Sequence, residues 1–251
     1  MSITQNKKRA KADYDMTYEA GRKAEREAFW SAFLQDGNRT DFLMTGVFSG
    51  YSWDFNNFYP TQDLIIRGDA YRLFYAWNTR AAHYGSLLER LNECGVKINT
   101  AGATRMAGAF GYSRMSEIPT IDLTSSTSND GIFGESKDLK KIEKIIVVES
   151  TPYKNCFNNN ISLEEIRIEG TIGQNGFDIH WSTNLSKASI YSVIYALATN
   201  PDSTVTNPTI TLSKAAVDKA FEMPSGANNG STSLEWAVLS EERGAWTKAL
   251  A

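Results

Sequence analysis

The chain is poor in the residues that build most chemical centres. It has 251 residues, of which two are cysteine and two are histidine. Cys94 and Cys156 cannot make a disulfide framework and read as small buried hydrophobes. A zinc site needs His and Cys ligands clustered at short spacings, and His180 lies far in sequence from either cysteine. No apolar run approaches the length of a membrane span. The basic start, Met1 to Arg9, is followed by no apolar core of a secretory signal. This implies a chain made and kept in the cytoplasm, or one that leaves by another route. The net charge of −3 gives no strong field toward nucleic acid or an anionic membrane.

Catalytic signatures are missing as well. Neither a G-x-S-x-G elbow nor a P-loop occurs. The stretch Gly170-Thr-Ile-Gly173-Gln-Asn-Gly176 lacks the lysine and the following helix of a phosphate loop, so it reads as a turn. Glu164 and Glu165 are adjacent, which in a strand sends them to opposite faces. Glu241 and Glu242 read as a solvated helix face. Asn155 to Asn160 is polar but lacks EF-hand order. The expectation is a protein with no catalytic residue, no metal and no cofactor.

What the chain does have is a period. Leu91, Met115, Leu139 and Leu163 stand 24 residues apart, and Cys94, Ile118, Ile142 and Ile166 repeat that step. A fixed period of this length is the signature of stacked repeats. Short strands are expected at Val96–Ile98, Ile121–Leu123, Ile145–Val148 and Ile166–Ile168. Phe110, Phe133 and Phe157 precede the anchors and are expected to stack as an aromatic spine. Lys137, Lys140, Lys141 and Lys144 form the densest charge run, read as a solubilising face in preference to a receptor for anions.

The flanks differ. Apolar residues recur at helical spacing from Tyr14 to Leu34, among them Tyr18, Phe29, Trp30 and Phe33. This segment is expected to be a helix for attachment or oligomerisation. The block from Phe42 to Trp77 is dense in aromatics. A cap over the open end of the repeats is the favoured reading. The alternative is a ligand platform around Trp53, Phe58 and Tyr59. Beyond Gly170, helices are expected at Leu185–Ala198, Lys214–Phe221 and Leu234–Arg243, with a strand at Thr209–Leu212.

The segment Phe157-Asn-Asn-Asn-Ile-Ser-Leu163-Glu-Glu-Ile166-Arg-Ile168 resembles the BspA-type leucine-rich repeat of bacterial surface proteins. Phe133 to Ile145 is similar. Phe110 to Leu123 follows the pattern with Met115 in place of leucine and Pro119 inside it. Tyr18 to Trp30, Asn38-Arg-Thr40 and Ala227 to Trp236 resemble the flanks of repeat proteins encoded by gut-bacterial phages and prophages. The expected fold is therefore α+β. It is a short leucine-rich-repeat solenoid with an N-terminal helix and aromatic cap and a C-terminal helical cap. The expected divisions are 1–35 for attachment, 36–90 for the aromatic cap, 91–184 for the coils and 185–251 for the C-terminal cap. The resemblance implies a non-enzymatic structural or binding component of a phage particle, on its tail, neck or head surface. Its partners would be other virion proteins, or itself through the N-terminal helix, with a host-surface glycan or protein as a further partner. Nucleic-acid binding and membrane insertion are not expected. The alternative function is a bacterial adhesin-like carbohydrate- or protein-binding module.

Overall fold

The computed structural model describes residues 63–75, 93–113, 115–201, 204–222 and 233–251. Its strands in chain order are β1 (Leu64–Asp69), β2 (Ile98–Arg105), β3 (Glu117–Ile118), β4 (Ile121–Asp122), β5 (Lys141–Val147), β6 (Glu165–Gly170) and β7 (Phe177–Asp178). Helix α1 (Lys187–Ala196), β8 (Thr209–Leu212), α2 (Lys214–Ala220), α3 (Leu234–Glu241) and β9 (Thr247–Leu250) follow. Ser186, Ser213 and Ser233 cap the three helices, each accepting from a backbone N–H in the first turn.

The expected α+β leucine-rich-repeat solenoid is corrected by this arrangement. The described residues are mixed, with three short helices and three separate sheets of parallel strands, none of them closed. The 24-residue step survives only in the central sheet, where Glu117 and Ile118 pair with Lys141 and Ile142, and those with Glu165 and Ile166. Outside it the step lengthens: Leu64 pairs with Ile98, Phe177 with Ile210, and Thr209 with Thr247.

Local chemistry explains why the sheets stop. Pro119 has no N–H for a ladder and separates β3 from β4. Between β2 and β4 a side chain replaces the ladder: Thr100 Oγ1 donates to the Asp122 carbonyl at 2.8 Å and accepts from the Asp122 N–H at 2.7 Å. Beyond β6 the next element is a helix. Ser189 Oγ of α1 accepts from the Ile166 N–H at 3.0 Å, and Ser192 Oγ accepts from the Ile168 N–H at 2.8 Å. Two serines thus satisfy an edge that would otherwise be a template for another strand.

The core runs through all three sheets, from Leu64 to Trp246. Its axis is a column of phenylalanines. Phe74, Phe110, Phe133, Phe157 and Phe177 follow one another at centroid distances of 5.2, 5.9, 5.6 and 5.2 Å. The four rings from Phe110 to Phe177 are at most 1% exposed. Each ring from Phe74 to Phe133 sits in a tight turn hydrogen-bonded to the turn below. Phe74 N donates to Ala109 O, Phe110 N to Ile132 O, and Phe133 N to Cys156 O, at 2.7, 2.8 and 3.1 Å. The turns therefore stack as a parallel ladder of their own, opposite the strands.

A second column, polar and buried, lies three residues after the rings of Phe110, Phe133 and Phe157. Ser136 Oγ donates to Phe110 O at 2.8 Å, and Asn160 Nδ2 donates to Phe133 O at 2.9 Å. Ser182 Oγ continues the series to Asn160 O at 3.0 Å. These groups satisfy turn carbonyls that the close stacking removes from water. Asn160 is 0% exposed, so the Asn160-Ile-Ser sequence is closed to glycosylation in the folded chain.

At the end of β6 and just past it, two glycines let the backbone pass. A Cβ at Gly170 would lie 2.0 Å from the Val147 carbonyl oxygen, and one at Gly173 would lie 2.1 Å from Glu149 Cγ. Close approach between neighbouring segments accounts for these glycines. At the C-terminal end, Phe221 packs on Trp236 at 5.2 Å, and Trp246 Nε1 donates to Ala198 O at 3.0 Å.

Two outcomes test this account. Phe133→Ala is expected to cost about 3–5 kcal/mol, because both stacking neighbours lose a partner and a cavity remains; urea unfolding reads it. Ser189→Ala is expected to cost about 1–3 kcal/mol by orphaning the Ile166 N–H. Hydrogen exchange at Ile166 should speed up more than at Ile142, which lies inside the sheet.

Candidate functional site

The stacked turns bring surface residues into register beside the buried rings. Two residues before a ring stand Arg72, Gly108, Gly131 and Asn155. Two residues after stand Tyr112, Glu135 and Asn159. All seven have φ between 53° and 62°. Glycine takes this left-handed backbone freely and asparagine tolerates it, whereas other residues meet a cost of about 1–2 kcal/mol. Arg72, Tyr112 and Glu135 are the three held there against preference.

Those three line one groove of about 540 Å³, together with Tyr71, Tyr75, Arg105, Asp130 and Asn155. Gly108, Gly131 and Gly134 also line it, and a Cβ at Gly131 would meet nothing within 4 Å. One end is cationic and aromatic. The Arg105 guanidinium lies 4.1 Å from the Tyr71 ring centre, and that of Arg72 lies 4.9 Å from Tyr71 and 4.6 Å from Tyr75. Arg105 also pairs with Asp69 at 3.2 Å. Burial raises the Tyr75 phenol above its ordinary pKa, and Arg72 opposes that shift. Arg72 is exposed, and among the described residues no ion pair joins it to a carboxylate.

The other end carries carboxylates held by amides. Asn155 Nδ2 donates to Asp130 at 3.1 Å, and Asn159 Nδ2 donates to Glu135 at 2.8 Å. The groove therefore offers fixed donors and fixed acceptors on a backbone that cannot easily move.

A second groove, of about 620 Å³, lies between the solvent face of β5 and β6 and helix α1. Much of its polar lining is already paired. Lys141 meets Glu165 at 3.2 Å, and that hydrogen bond raises the lysine pKa. The Tyr191 hydroxyl donates to Glu235 at 2.8 Å. Nearby, Lys144 meets Glu169 at 2.8 Å and holds its carboxyl below the usual range. Cross-strand pairs of this kind fix register more than they add stability. Two of the four lysines of the run, Lys141 and Lys144, are thus paired within the sheet.

The expected site residues do not enter either groove's description. Trp53, Phe58 and Tyr59, proposed for ligand binding, lie outside the described residues. So do Tyr18, Phe29, Trp30 and Phe33 of the attachment segment. His180 contacts Asp178 at 2.5 Å and Trp181 at 4.8 Å, with no cysteine beside it. Among the described residues no group of three His, Cys, Asp or Glu is placed to hold a metal. Glu164 and Glu165 are both exposed, because β6 begins only at Glu165. The groove itself escaped the sequence reading. Its signal was the offset of two residues on either side of Phe110, Phe133 and Phe157.

No family model, no curated protein and no solved structure matches the chain. Among the described residues no helix is long and apolar enough to cross a membrane.

The thiols supply a test of the packing beneath the groove. Cys156 is buried, its Sγ donates to Asn129 O at 3.2 Å, and burial pushes its pKa up, while Cys94 is half-buried. In the native protein at neutral pH, a thiol reagent is expected to label Cys94 and to reach Cys156 only with global unfolding. The raised pKa means the fold favours the neutral thiol. Its contribution is complete below the ordinary thiol range and is lost as pH rises through and above that range. Mass spectrometry of labelled peptides, and stability measured across alkaline pH, check both outcomes.

Proposed function

We propose that this protein is a non-enzymatic structural and binding component of a bacteriophage particle, displayed on its tail, neck or head surface. The observation that supports a binding role is the groove built on left-handed residues. Strained backbone persists where the surroundings over-determine it, and such positions cluster at ligand sites. Here the turn ladder supplies the over-determination, and its three unfavourable residues all face the same groove, whereas the two others in the described residues, Glu222 and Arg243, stand just past the ends of helices α2 and α3.

The chemistry of the groove favours recognition over catalysis. A general acid needs a carboxyl kept protonated in apolar surroundings. Asp130 and Glu135 instead accept hydrogen bonds from asparagine amides at an open surface. Such groups hold and orient a ligand. The assignment to a phage particle rests on the likeness of Tyr18–Trp30, Asn38–Thr40 and Ala227–Trp236 to phage repeat-protein flanks. Residues 14–34 would join the protein to other virion proteins or to itself, through Tyr18, Phe29, Trp30 and Phe33.

The second reading is an adhesin-like carbohydrate- or protein-binding module on a bacterial surface. It uses the same groove and differs in location. Antibody labelling of purified particles and of producing cells separates the two, with label on particles expected. Removal of residues 1–35 is expected to abolish incorporation into particles and to lower the oligomeric state, while circular dichroism of the remaining chain is retained. Unchanged incorporation and unchanged oligomeric state would remove the attachment role.

A further inference from the structure

We infer that the groove between Tyr71, Arg72, Glu135 and Asn155 binds a neutral oligosaccharide, an inference that rests on the binding role proposed above. Four features converge on that ligand class. First, the charges are mixed and close to balance: the lining arginines Arg72 and Arg105 stand with the carboxylates Asp130 and Glu135, and around them Asp69 pairs with Arg105, Lys137 with Glu135 and Lys154 with Asp130. Such a lining draws in neither a polyanion nor a cation.

Second, the polar groups are forks. Guanidinium, carboxylate and amide side chains each present two polar atoms in one plane. Adjacent hydroxyls of a sugar ring match that geometry, and each hydroxyl both donates and accepts. A groove with donors at one end and acceptors at the other suits such a ligand, and a purely anionic ligand would leave Asp130 and Glu135 facing like charge. Third, the forks are held in place before a ligand arrives. Arg72 is held between two tyrosine rings, Arg105 between Tyr71 and Asp69, Asp130 by Asn155, and Glu135 by Asn159. Pre-organisation lowers the entropy lost on binding.

Fourth, Tyr71, Tyr75 and Tyr112 add amphipathic walls, an apolar ring with a hydroxyl at its rim. A sugar has the same character, with C–H on its faces and O–H at its edge. The volume of about 540 Å³ is ample for a short oligosaccharide.

The full chain is screened against printed neutral oligosaccharides of glucose, galactose, mannose and N-acetylhexosamines, beside sialylated, uronate and sulfated ones. The strongest probe is then titrated by calorimetry against wild type, Arg72→Gly and Glu135→Gly. Neutral probes are expected to bind, and each variant to weaken the best of them by at least about tenfold. Thermal unfolding should be unchanged or move upward, because glycine relieves the left-handed backbone. Lys141→Ala, in the other groove, should leave the affinity as it is. Binding to no neutral probe, a preference for acidic probes, or affinity unmoved by both glycine variants would overturn the inference. Particle labelling that persists through such a failure leaves the phage reading standing. Glycan binding without particle labelling overturns only the phage reading.

Discussion

A stack of tight turns has a core only if each turn lays a bulky side chain over the one beneath it. In this protein that constraint is met by phenylalanine. Five rings from Phe74 to Phe177 form the axis, and the rest of the molecule is arranged around their spacing. A ring spacing of 5.2 to 5.9 Å is slightly wider than the ~4.8 Å separation of paired backbones, so rings and ladder can advance together with small tilts. Stacked aromatic pairs add about 0.5–1.5 kcal/mol beyond the area they bury. The buried serines and asparagine beside the column are a consequence, because turns packed this closely leave carbonyls that water cannot reach.

The same constraint explains how the edges are treated. Strands and turns rise at one rate, yet the strand side is interrupted and the turn side from Phe74 to Phe157 is not. Hydroxyls bridge the interruptions. Thr100 stands in for a ladder between the first two sheets, and Ser189 and Ser192 do so where α1 meets β6. A hydroxyl can both donate and accept, so one side chain replaces a backbone pair without disturbing the core. The central sheet consequently meets a threonine at β4 on one side and a helix at β6 on the other.

The groove inherits its rigidity from this construction. Residues two places from Phe110, Phe133 and Phe157, and Arg72 two places before Phe74, take left-handed backbone where the turn closes over the phenylalanine. At most of these positions glycine or asparagine stands, as backbone energetics favours. Arg72, Tyr112 and Glu135 depart from that rule, and all three line the groove. Cost and location coincide, which separates this surface from the paired charges on β5 and β6.

Individual elements were legible in the sequence, while the fold class was not. The step from Leu139 to Leu163 became the register of β5 and β6, and the helix expected at Leu185–Ala198 lies at Lys187–Ala196. Phe110, Phe133 and Phe157 read as a spine because period and residue type agreed. The extent of the repeat did not survive, since a period fixes which residues align but not whether backbone or side chain joins them. Thr100 and Ser189 look like any polar residues until the strand beside them is in place. The groove was out of reach for a related reason. Tyr71, Arg105, Asp130 and Asn155 share no local motif, and their meeting depends on turns stacking across more than 80 positions of chain. The sequence by itself determined the spacing of the core, because buried side chains must recur wherever the chain returns. Only the tertiary structure decided which exposed residues became neighbours, because that depends on the φ of each turn and on what closes each sheet.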